Sequence, residues 1–196
     1  MDTLASDLAI VCLSLPANKR TVKDGILLVD GVPLAETGMR HHPINPMTES
    51  DLVKLMEMQS RGKAGLVKLD TVRKGAQAIR DDLARIRSGG CRYAVMDAVT
   101  DADLDRIAEA VHDMPLLTGG SGLGQSRARE TGKRLGGPAG PARRVAIPRG
   151  KAVVLSGSCA EMTNRQVALY KDKTQSVKIA VKKCIDDPAA YAEELA

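Results

Sequence analysis

Aromatic side chains are nearly absent from this sequence. Among 196 residues there are three Tyr and neither Phe nor Trp. Any hydrophobic core must therefore be built from Val, Ile, Leu, Ala and Met. Proteins that hold single-stranded nucleic acid depend on exposed rings on which bases stack. We therefore expect no stacking surface of that kind. Nucleic acid is not the expected partner, and the basic stretch described below is the feature that would favour it.

Long hydrophobic runs and paired cysteines are also missing. The longest early apolar run has eight residues, 8–15, and is preceded by Asp2 and Asp7 rather than by Lys or Arg. It fits neither a membrane span nor a signal peptide. The four cysteines form no CxxC pair: Cys12, Cys91, Cys159 and Cys184. We expect reduced, mostly buried thiols in a cytoplasmic protein that does not bind membranes.

Charge and composition are those of an ordinary globular protein. Apolar residues make up 43% and charged residues 27% of the chain, which excludes a disordered chain, a collagen and a coiled-coil rod. The net charge is +5, and the basic residues are densest between Arg127 and Arg149. Because that stretch is rich in Gly and Pro, it indicates a solvated linker. The alternative is a nucleic-acid footprint, whose affinity would fall steeply with salt.

Hydrophobic periodicity predicts an α/β fold. From residue 51 onward short apolar runs alternate with helical patterns, which is typical of βαβ units and a mostly parallel sheet. An earlier apolar run predicts a first strand over 8–13, and Asp30-Gly31 predicts a hairpin between the strands 26–29 and 32–34. The later strands are predicted over 65–69, 92–96 and 115–117, and the helices over 51–59, 71–87, 101–112 and into Arg134. The N-terminal domain is therefore expected to be a three-layer, open, Rossmann-like sheet.

A Gly- and Pro-rich stretch divides the chain. Residues 136–150 contain four Gly and three Pro, which predicts a linker between a domain over 1–135 and a second α/β domain over 151–196. The second domain is predicted to have strands over 152–155 and 176–181 and helices over 160–171 and 188–195. These elements are too few for a stable sheet. The first domain likewise opens inside a strand pattern, so we expect both domains to be incomplete.

Two loops combine a strand, a turn of glycine and small hydroxyl residues, and a helix. The free N–H groups of a first helical turn bind anions, and glycine lets a ligand approach the backbone. Neither loop has the P-loop pattern. Each alone could be an ordinary βα turn, whereas two of them favour a cleft between the domains that holds two anionic ligands. The candidate residues are Gly119, Gly120, Ser121 and Gly122 in the first loop, and Ser156, Gly157 and Ser158 in the second.

Asp97 and Arg20 are further candidates from position and residue type. Asp97 ends the predicted strand at the carboxyl edge, where open α/β sheets bind ligands. It is expected either to contact a substrate hydroxyl or to cap the turn into the next helix. Arg20, followed by Thr21, leaves the turn after the first strand. Its guanidinium could clamp a carboxylate in a bidentate manner, or it could be a surface charge.

The adjacent histidines do not predict a metal site. His41, His42 and Glu49 have no helical HxxxH spacing and no evident third ligand. His42 is therefore either a residue of a substrate loop or an exposed loop histidine.

Six stretches carry a resemblance to a known family, and they cover nearly the whole chain in the right order. They are residues 16–22, 31–37, 39–48, 95–104, 118–123 and 155–164. In these stretches the chain resembles the four-carbon acid sugar kinases, and within them the branch that acts on 3-oxo-tetronate. Relatives that act on threonate or erythronate tend to have Asp-Pro in place of His42-Pro43.

The resemblance implies an ATP-dependent kinase that converts 3-oxo-tetronate to 3-oxo-tetronate 4-phosphate. Its N-terminal domain would bind the sugar acid and its C-terminal domain the nucleotide, with Mg²⁺ carried by the nucleotide. It implies ATP contacts at Ser156, Gly157 and Ser158, and sugar-acid contacts at Arg20, Thr21, His42 and the loop Gly119, Gly120, Ser121 and Gly122. The alternatives are a threonate or erythronate kinase and a non-catalytic module that binds sugar acids; a homodimer is the assembly considered.

The chain also departs from the family pattern. The family's Asp-Asp-x-Thr-Gly loop and its Gly-rich nucleotide loop are both absent, so no catalytic base is identified and we expect no turnover by this polypeptide alone. Lys19 stands where the family usually has Gly, which predicts a change in the shape of that turn.

Overall fold

A computed structural model describes residues 1–42, 45–136, 150–158 and 160–195. The chain divides into two units, Met1–Ala142 and Arg143–Ala196. The predicted linker, 136–150, lies almost entirely outside the described residues, as do Pro43 of the His-Pro motif and Cys159. The predicted domain boundaries therefore stay predictions.

The first unit alternates strands and helices. In chain order its elements are β1 Ala9–Cys12, β2 Arg20–Lys23, β3 Ile26–Val29, β4 Val32–Pro33, α1 Leu52–Gln59, β5 Lys63–Val67, α2 Leu69–Arg73, α3 Ala76–Ser88, β6 Cys91–Met96, α4 Asp101–Ala110, β7 Leu117–Gly119 and α5 Ser121–Leu135. Four strands form a parallel sheet in the order β5-β6-β1-β7. The other three form a separate antiparallel sheet in the order β2-β3-β4.

The parallel sheet is buried on both faces because its central strand is apolar throughout. Alternate side chains of a strand point to opposite faces. Ile10 and Cys12 of β1 belong to a core that includes residues of α3, α4 and α5, whereas Val11 packs in a second core with residues of β2, β3 and α1. The predicted three-layer, parallel α/β fold is confirmed. The layer opposite the long helices is a small antiparallel sheet together with α1.

Helix boundaries follow local capping chemistry. Asp51 caps α1 by accepting hydrogen bonds from the backbone N–H groups of Val53 and Lys54. The predicted helix over 71–87 is two helices, since Gly75 between them has a φ of 103°, which ordinary residues rarely adopt.

Two Asp-Gly turns build the antiparallel sheet. Asp24 and Gly25 have φ values of 53° and 78°, and Asp30 and Gly31 have values of 53° and 80°. Positive φ at both central residues is typical of the type I′ turn, whose twist matches that of a hairpin. The hairpin predicted at Asp30-Gly31 is confirmed. The preceding hairpin, between β2 and β3, was not predicted.

The second unit contains helices but no strand within residues 150–158 and 160–195. Its helices are α6 Glu161–Tyr170, α7 Val181–Asp186 and α8 Pro188–Leu195. The strands predicted over 152–155 and 176–181 are wrong. Val153 and Leu155 are 81% and 86% exposed. No described strand of this unit lies beside them to pair with their backbone, and a strand needs such a partner. The second segment runs instead into the start of α7.

Among the described helices, none combines the length and hydropathy needed to cross a membrane. The three cysteines in the described residues are free thiols. Cys12 is buried as expected, whereas Cys91 is half-buried and Cys184 is exposed.

Candidate functional site

The loops that follow β1 and β7 lie side by side at the carboxyl edge of the parallel sheet. The backbone N–H of Gly120 donates to the carbonyl oxygen of Cys12 over 3.1 Å. Leu15, just beyond β1, pairs with Arg20 through two backbone hydrogen bonds of 2.9 and 3.1 Å. Ligands of open α/β sheets bind at this edge. The fold therefore brings the start of β2 and the start of α5 to this edge, and both carry residues that were predicted to contact the sugar acid.

Two glycines of the β7–α5 loop are required by packing. A Cβ at Gly119 would stand 2.3 Å from the carbonyl oxygen of Cys12, and one at Gly122 would stand 2.5 Å from that of Ser14. Such distances are far below van der Waals contact. At Gly120 the nearest such atom is 3.8 Å away. Close approach of the two loops thus explains Gly119 and Gly122, and ligand access remains a prediction for Gly120.

The amino terminus of α5 has unused hydrogen-bond donors. Its N-cap, Gly120, supplies no side-chain acceptor, and the first turn contains no acidic residue. Within the described part of the chain, the backbone N–H groups of Ser121, Gly122 and Leu123 have no acceptor. Ser121 is also exposed. Free N–H groups and the partial positive charge of a helix start favour an anionic group at this position.

Arg20 adds a full positive charge to the same edge. It is the first residue of β2 and is exposed, and its guanidinium has no hydrogen-bond or ion-pair partner among the residues that the structure describes. By strand alternation it shares a face with Val22, which is fully buried in the core between the two sheets. Arg20 therefore leaves β2 on the side of the parallel sheet. Thr21 lies on the opposite face and is half-buried.

Asp97 is placed differently from either expectation. Its side chain is fully buried. One oxygen accepts hydrogen bonds from the N–H groups of Asp24 and Leu69, over 2.9 and 3.1 Å, and the other accepts from Gly25 over 2.9 Å. Burial raises the pKa of Asp97, while these three hydrogen bonds oppose the shift. A carboxylate used in this way has no surface with which to contact a substrate.

The turn into α4 is capped by other residues. Thr100 accepts a hydrogen bond from the N–H of Asp103, and the carboxylate of Asp103 accepts from the N–H of Thr100. This reciprocal pair is a capping box. Neither expected role of Asp97 is therefore supported, and its actual role is to hold the turn of a hairpin.

His42 lies in a separate loop. It follows a 3-10 turn, Gly38–His41, and its Nδ1 accepts a hydrogen bond of 3.1 Å from the N–H of Asn45. These contacts lie within its own loop and give no geometric link to Arg20. Among the described residues, His, Cys, Asp and Glu side chains form no group of three or more that could hold a metal ion.

The second predicted loop belongs to the other unit. Ser156, Gly157 and Ser158 are exposed, and Ser158 Oγ accepts a hydrogen bond of 3.0 Å from the N–H of Ala160, just before α6. The cleft expected between the two loops stays a prediction.

The basic stretch makes intramolecular contacts where it is described. Arg129 bonds to Asp105 over 2.7 Å, Arg134 to Glu130 over 2.6 Å, and Arg127 to the carbonyl oxygen of His112. The remaining arginines of the stretch lie outside the described residues. An open groove of about 380 Å³ lies at the amino end of the sheet, opposite the candidate site, with Asp7, Arg80, Arg87 and Met114 among its lining residues.

Curated relatives match the whole chain. A Brucella melitensis 3-oxo-tetronate kinase is 44% identical over 100% of this chain and 45% of its own length. An Escherichia coli 3-oxo-tetronate kinase is 47% identical over 100% of this chain and 50% of its own length. The chain thus spans about half the length of these relatives. The resemblance read from the sequence motifs is confirmed.

Solved structures and a family model agree with this resemblance. A Salmonella typhimurium structure matches with a TM-score of 0.73 and 43% identity, covering 100% of this chain and 46% of that one. A Bordetella bronchiseptica domain of unknown function, a domain-swapped dimer with bound citrate, matches with a TM-score of 0.52 and 27% identity over 67% of this chain and 32% of that one. The model described as "Sugar-binding N-terminal domain" matches residues 1–127, which contain both loops of the candidate site, and the chain therefore belongs to the family of sugar-binding N-terminal domains.

Proposed function

We propose that this chain carries the sugar-acid-binding part of an ATP-dependent kinase that phosphorylates 3-oxo-tetronate at its terminal hydroxyl. The observation that supports it best is that the Arg20 guanidinium and the N–H groups that begin α5 lie at the same sheet edge. Neither has a hydrogen-bond or ion-pair partner among the described residues. The names of the relatives supply the substrate and the reaction. A threonate or erythronate kinase and a non-catalytic sugar-acid-binding module are the alternatives.

The substrate fits the chemistry of this edge. A sugar acid has one carboxylate and several hydroxyls. In the proposal the guanidinium of Arg20 holds the carboxylate through paired N–H donors, and the N–H groups of Ser121 and Gly122 bind a second oxygen. Thr21 and His42 are proposed as hydroxyl contacts. The citrate bound by the Bordetella bronchiseptica neighbour is likewise a hydroxylated carboxylate.

The nucleotide is proposed to contact Ser156, Gly157 and Ser158, with Mg²⁺ arriving on the nucleotide. The described residues hold no ligand set for a metal, so no step is assigned to a protein-bound ion. Phosphoryl transfer depends on positioning and on neutralising charge. Because the chain spans about half of its relatives, we propose that it binds the acid without turning over by itself.

Calorimetry with 3-oxo-tetronate tests the binding site. Arg20→Ala is expected to weaken binding about 10- to 100-fold, as for the loss of a charged hydrogen-bonded pair worth roughly 1.5–3 kcal/mol. Arg61→Ala removes a positive charge that is also exposed but lies outside the site, and it is expected to leave affinity unchanged. Absence of binding by the unmodified chain, or equal losses in both variants, would overturn the proposal.

The nucleotide arm separates the kinase from the alternatives. Binding of the acid with no response to Mg²⁺-ATP would favour the non-catalytic module, whereas erythronate binding more tightly than 3-oxo-tetronate would favour the other kinase branch. Steady ADP release would refute the proposed lack of turnover.

The assembly and the compartment of the protein are proposed as well. We propose a homodimer because the Bordetella bronchiseptica neighbour crystallised as a domain-swapped dimer, and the cytoplasm because Cys12, Cys91 and Cys184 form no disulfide. A monomer mass by light scattering would overturn the first proposal.

A further inference from the structure

The strand that carries Arg20 is attached to the parallel sheet at a few points. Val22 and Ala98 exchange two backbone hydrogen bonds of 2.9 and 3.0 Å. The carbonyl oxygen of Ala98 also accepts a bond of 2.8 Å from the hydroxyl of Ser14. The residues directly after β6 thus hold β2 and the loop after β1 together.

Asp97 attaches the other end of β2 to the parallel sheet. Its carboxylate bonds to both residues of the turn that ends β2, Asp24 and Gly25, and to Leu69 just after β5. Its own N–H donates to the carbonyl oxygen of Val67 over 3.1 Å. One buried side chain therefore joins the hairpin turn to the ends of two strands of the parallel sheet.

The free-energy cost of burying a carboxylate indicates that the position of Asp97 matters to the fold. A carboxylate removed from water loses hydration, and only well-placed donors compensate for it. Three backbone N–H groups serve Asp97, and no Arg or Lys contact of its carboxylate is found within the described part of the chain. In return, the strand bearing Arg20 is fixed at both ends, by Asp97 at the turn and by the Leu15 pair at Arg20 itself.

We propose that Asp97 is a positioning residue for the sugar-acid site, which sets the location of Arg20 by clamping the Asp24-Gly25 turn to the carboxyl edge of the sheet. This role rests on the proposed function. It differs from substrate contact, because Asp97 acts through β2 and never touches the ligand.

The test compares two buried carboxylates by calorimetry with 3-oxo-tetronate. Asp97→Asn replaces one of the two carboxylate oxygens with an NH₂ group, which cannot accept a hydrogen bond. Depending on the rotation of the amide, the mutant loses either the bond from Gly25 or the pair from Asp24 and Leu69. Asp103→Asn alters a carboxylate that is also buried, at 1% exposure, but that serves the turn into α4. Affinities are corrected for the folded fraction of each variant.

The expected result is a loss of affinity of about tenfold or more for Asp97→Asn, since a displaced guanidinium loses its charged hydrogen bonds. The affinity of Asp103→Asn is expected to match the unmodified chain even where its stability falls equally. Equal affinities in the two variants overturn the positioning role alone. No binding by the unmodified chain overturns the proposed function, and this role with it.

Hydrogen exchange supplies a second test, which the unmodified chain alone can already fail. Amides in a surface turn normally exchange fast, whereas Asp97 should make those of Asp24 and Gly25 as protected as the amides of β1. In Asp97→Asn, exchange should accelerate in the turn and β2 and stay unchanged in α3. Rapid exchange of both turn amides in the unmodified chain would overturn the clamp even if Asp97→Asn failed to fold.

Discussion

Lys19 and Asp30 meet across the base of the first hairpin through two contacts. The backbone N–H of Asp30 donates to the carbonyl oxygen of Lys19 over 2.8 Å, and Lys19 Nζ lies 3.0 Å from Asp30 Oδ2. Lys19 reaches this place in a left-handed conformation, with a φ of 56°. The turn therefore keeps the backbone that glycine adopts without strain, although the family's usual glycine is replaced.

Lys19→Gly is expected to stabilise the protein. A left-handed conformation costs an ordinary residue about 1–2 kcal/mol, and glycine avoids this cost. The greater conformational freedom of glycine in the unfolded state cancels roughly half of that stabilisation. The ion pair with Asp30 is 68% exposed on both sides and contributes little. The free energy of unfolding in urea should rise by about 0.5–1 kcal/mol. Lys23→Gly, in the regular strand β2, should lower it; a fall in both variants would contradict the argument.

The glycines of the β7–α5 loop should differ sharply when changed to alanine. Gly119→Ala and Gly122→Ala force a methyl group against the backbone of the β1 loop, and each should cost about 1–3 kcal/mol of stability. Gly124→Ala meets nothing within 4 Å and should add roughly 0.5–1 kcal/mol as a better helix former. Chemical denaturation of the three variants checks the order, which a uniform response would contradict.

Asp97 should give the protein a stability term that depends on pH. Burial raises the folded-state pKa of Asp97 above its ordinary value of 3.8. The folded state therefore takes up the proton first, and the contribution of Asp97 is complete below 3.8 and is lost as pH rises through the raised pKa. The difference in unfolding free energy between the unmodified chain and Asp97→Asn should shift in favour of the unmodified chain as pH falls from 7 to 4. Parallel pH curves would contradict this expectation.

The described thiols should react at very different rates. Burial raises the pKa of Cys12 to about 12, so at pH 8 it carries almost no thiolate and is also inaccessible. Cys184 is exposed and should be alkylated first, as peptide mapping after iodoacetamide treatment can show. Cys12 should be labelled only after denaturation. Labelling of Cys12 in the native chain at the rate of Cys184 would show that β1 is not buried as described.

The main sheet could be predicted because its strands carry their own signal. β1, β5 and β6 are short apolar runs between helical patterns, and a strand buried on both faces reads as such a run. β2 carries no such pattern, since Val22 is its one buried residue. Its signal was the Asp-Gly pair at 24–25, which follows a strand-forming stretch and marks a hairpin. Reading that pair would have placed Arg20 on a strand rather than in a turn.

The role of Asp97 could not be predicted because its partners are distant in sequence. Position after a strand suggested ligand contact, whereas its hydrogen bonds join residues 73, 72 and 28 positions away. No local periodicity reports such a connection. The prediction of strands in the second unit was wrong because it used local sequence alone. Val153 and Leu155 fit a strand locally, but a strand forms only beside a partner strand.

The hydrogen bonds of Asp97 and Ala98 have a consequence for the order in which the chain folds during synthesis. The hydroxyl of Ser14 and the turn at Asp24 bind residues that lie 84 and 73 positions later in the chain. The hairpins therefore leave the ribosome before these partner residues have been synthesised. Synthesis at about 5–20 residues per second separates these partners by seconds, whereas a hairpin forms within about 10 μs. The carboxyl edge of the sheet should therefore be among the last parts of the nascent unit to form. Ribosome stalling shortly before residue 97 emerges would then leave a chain whose hairpins are formed but whose carboxyl edge lacks the contacts made by Asp97 and Ala98.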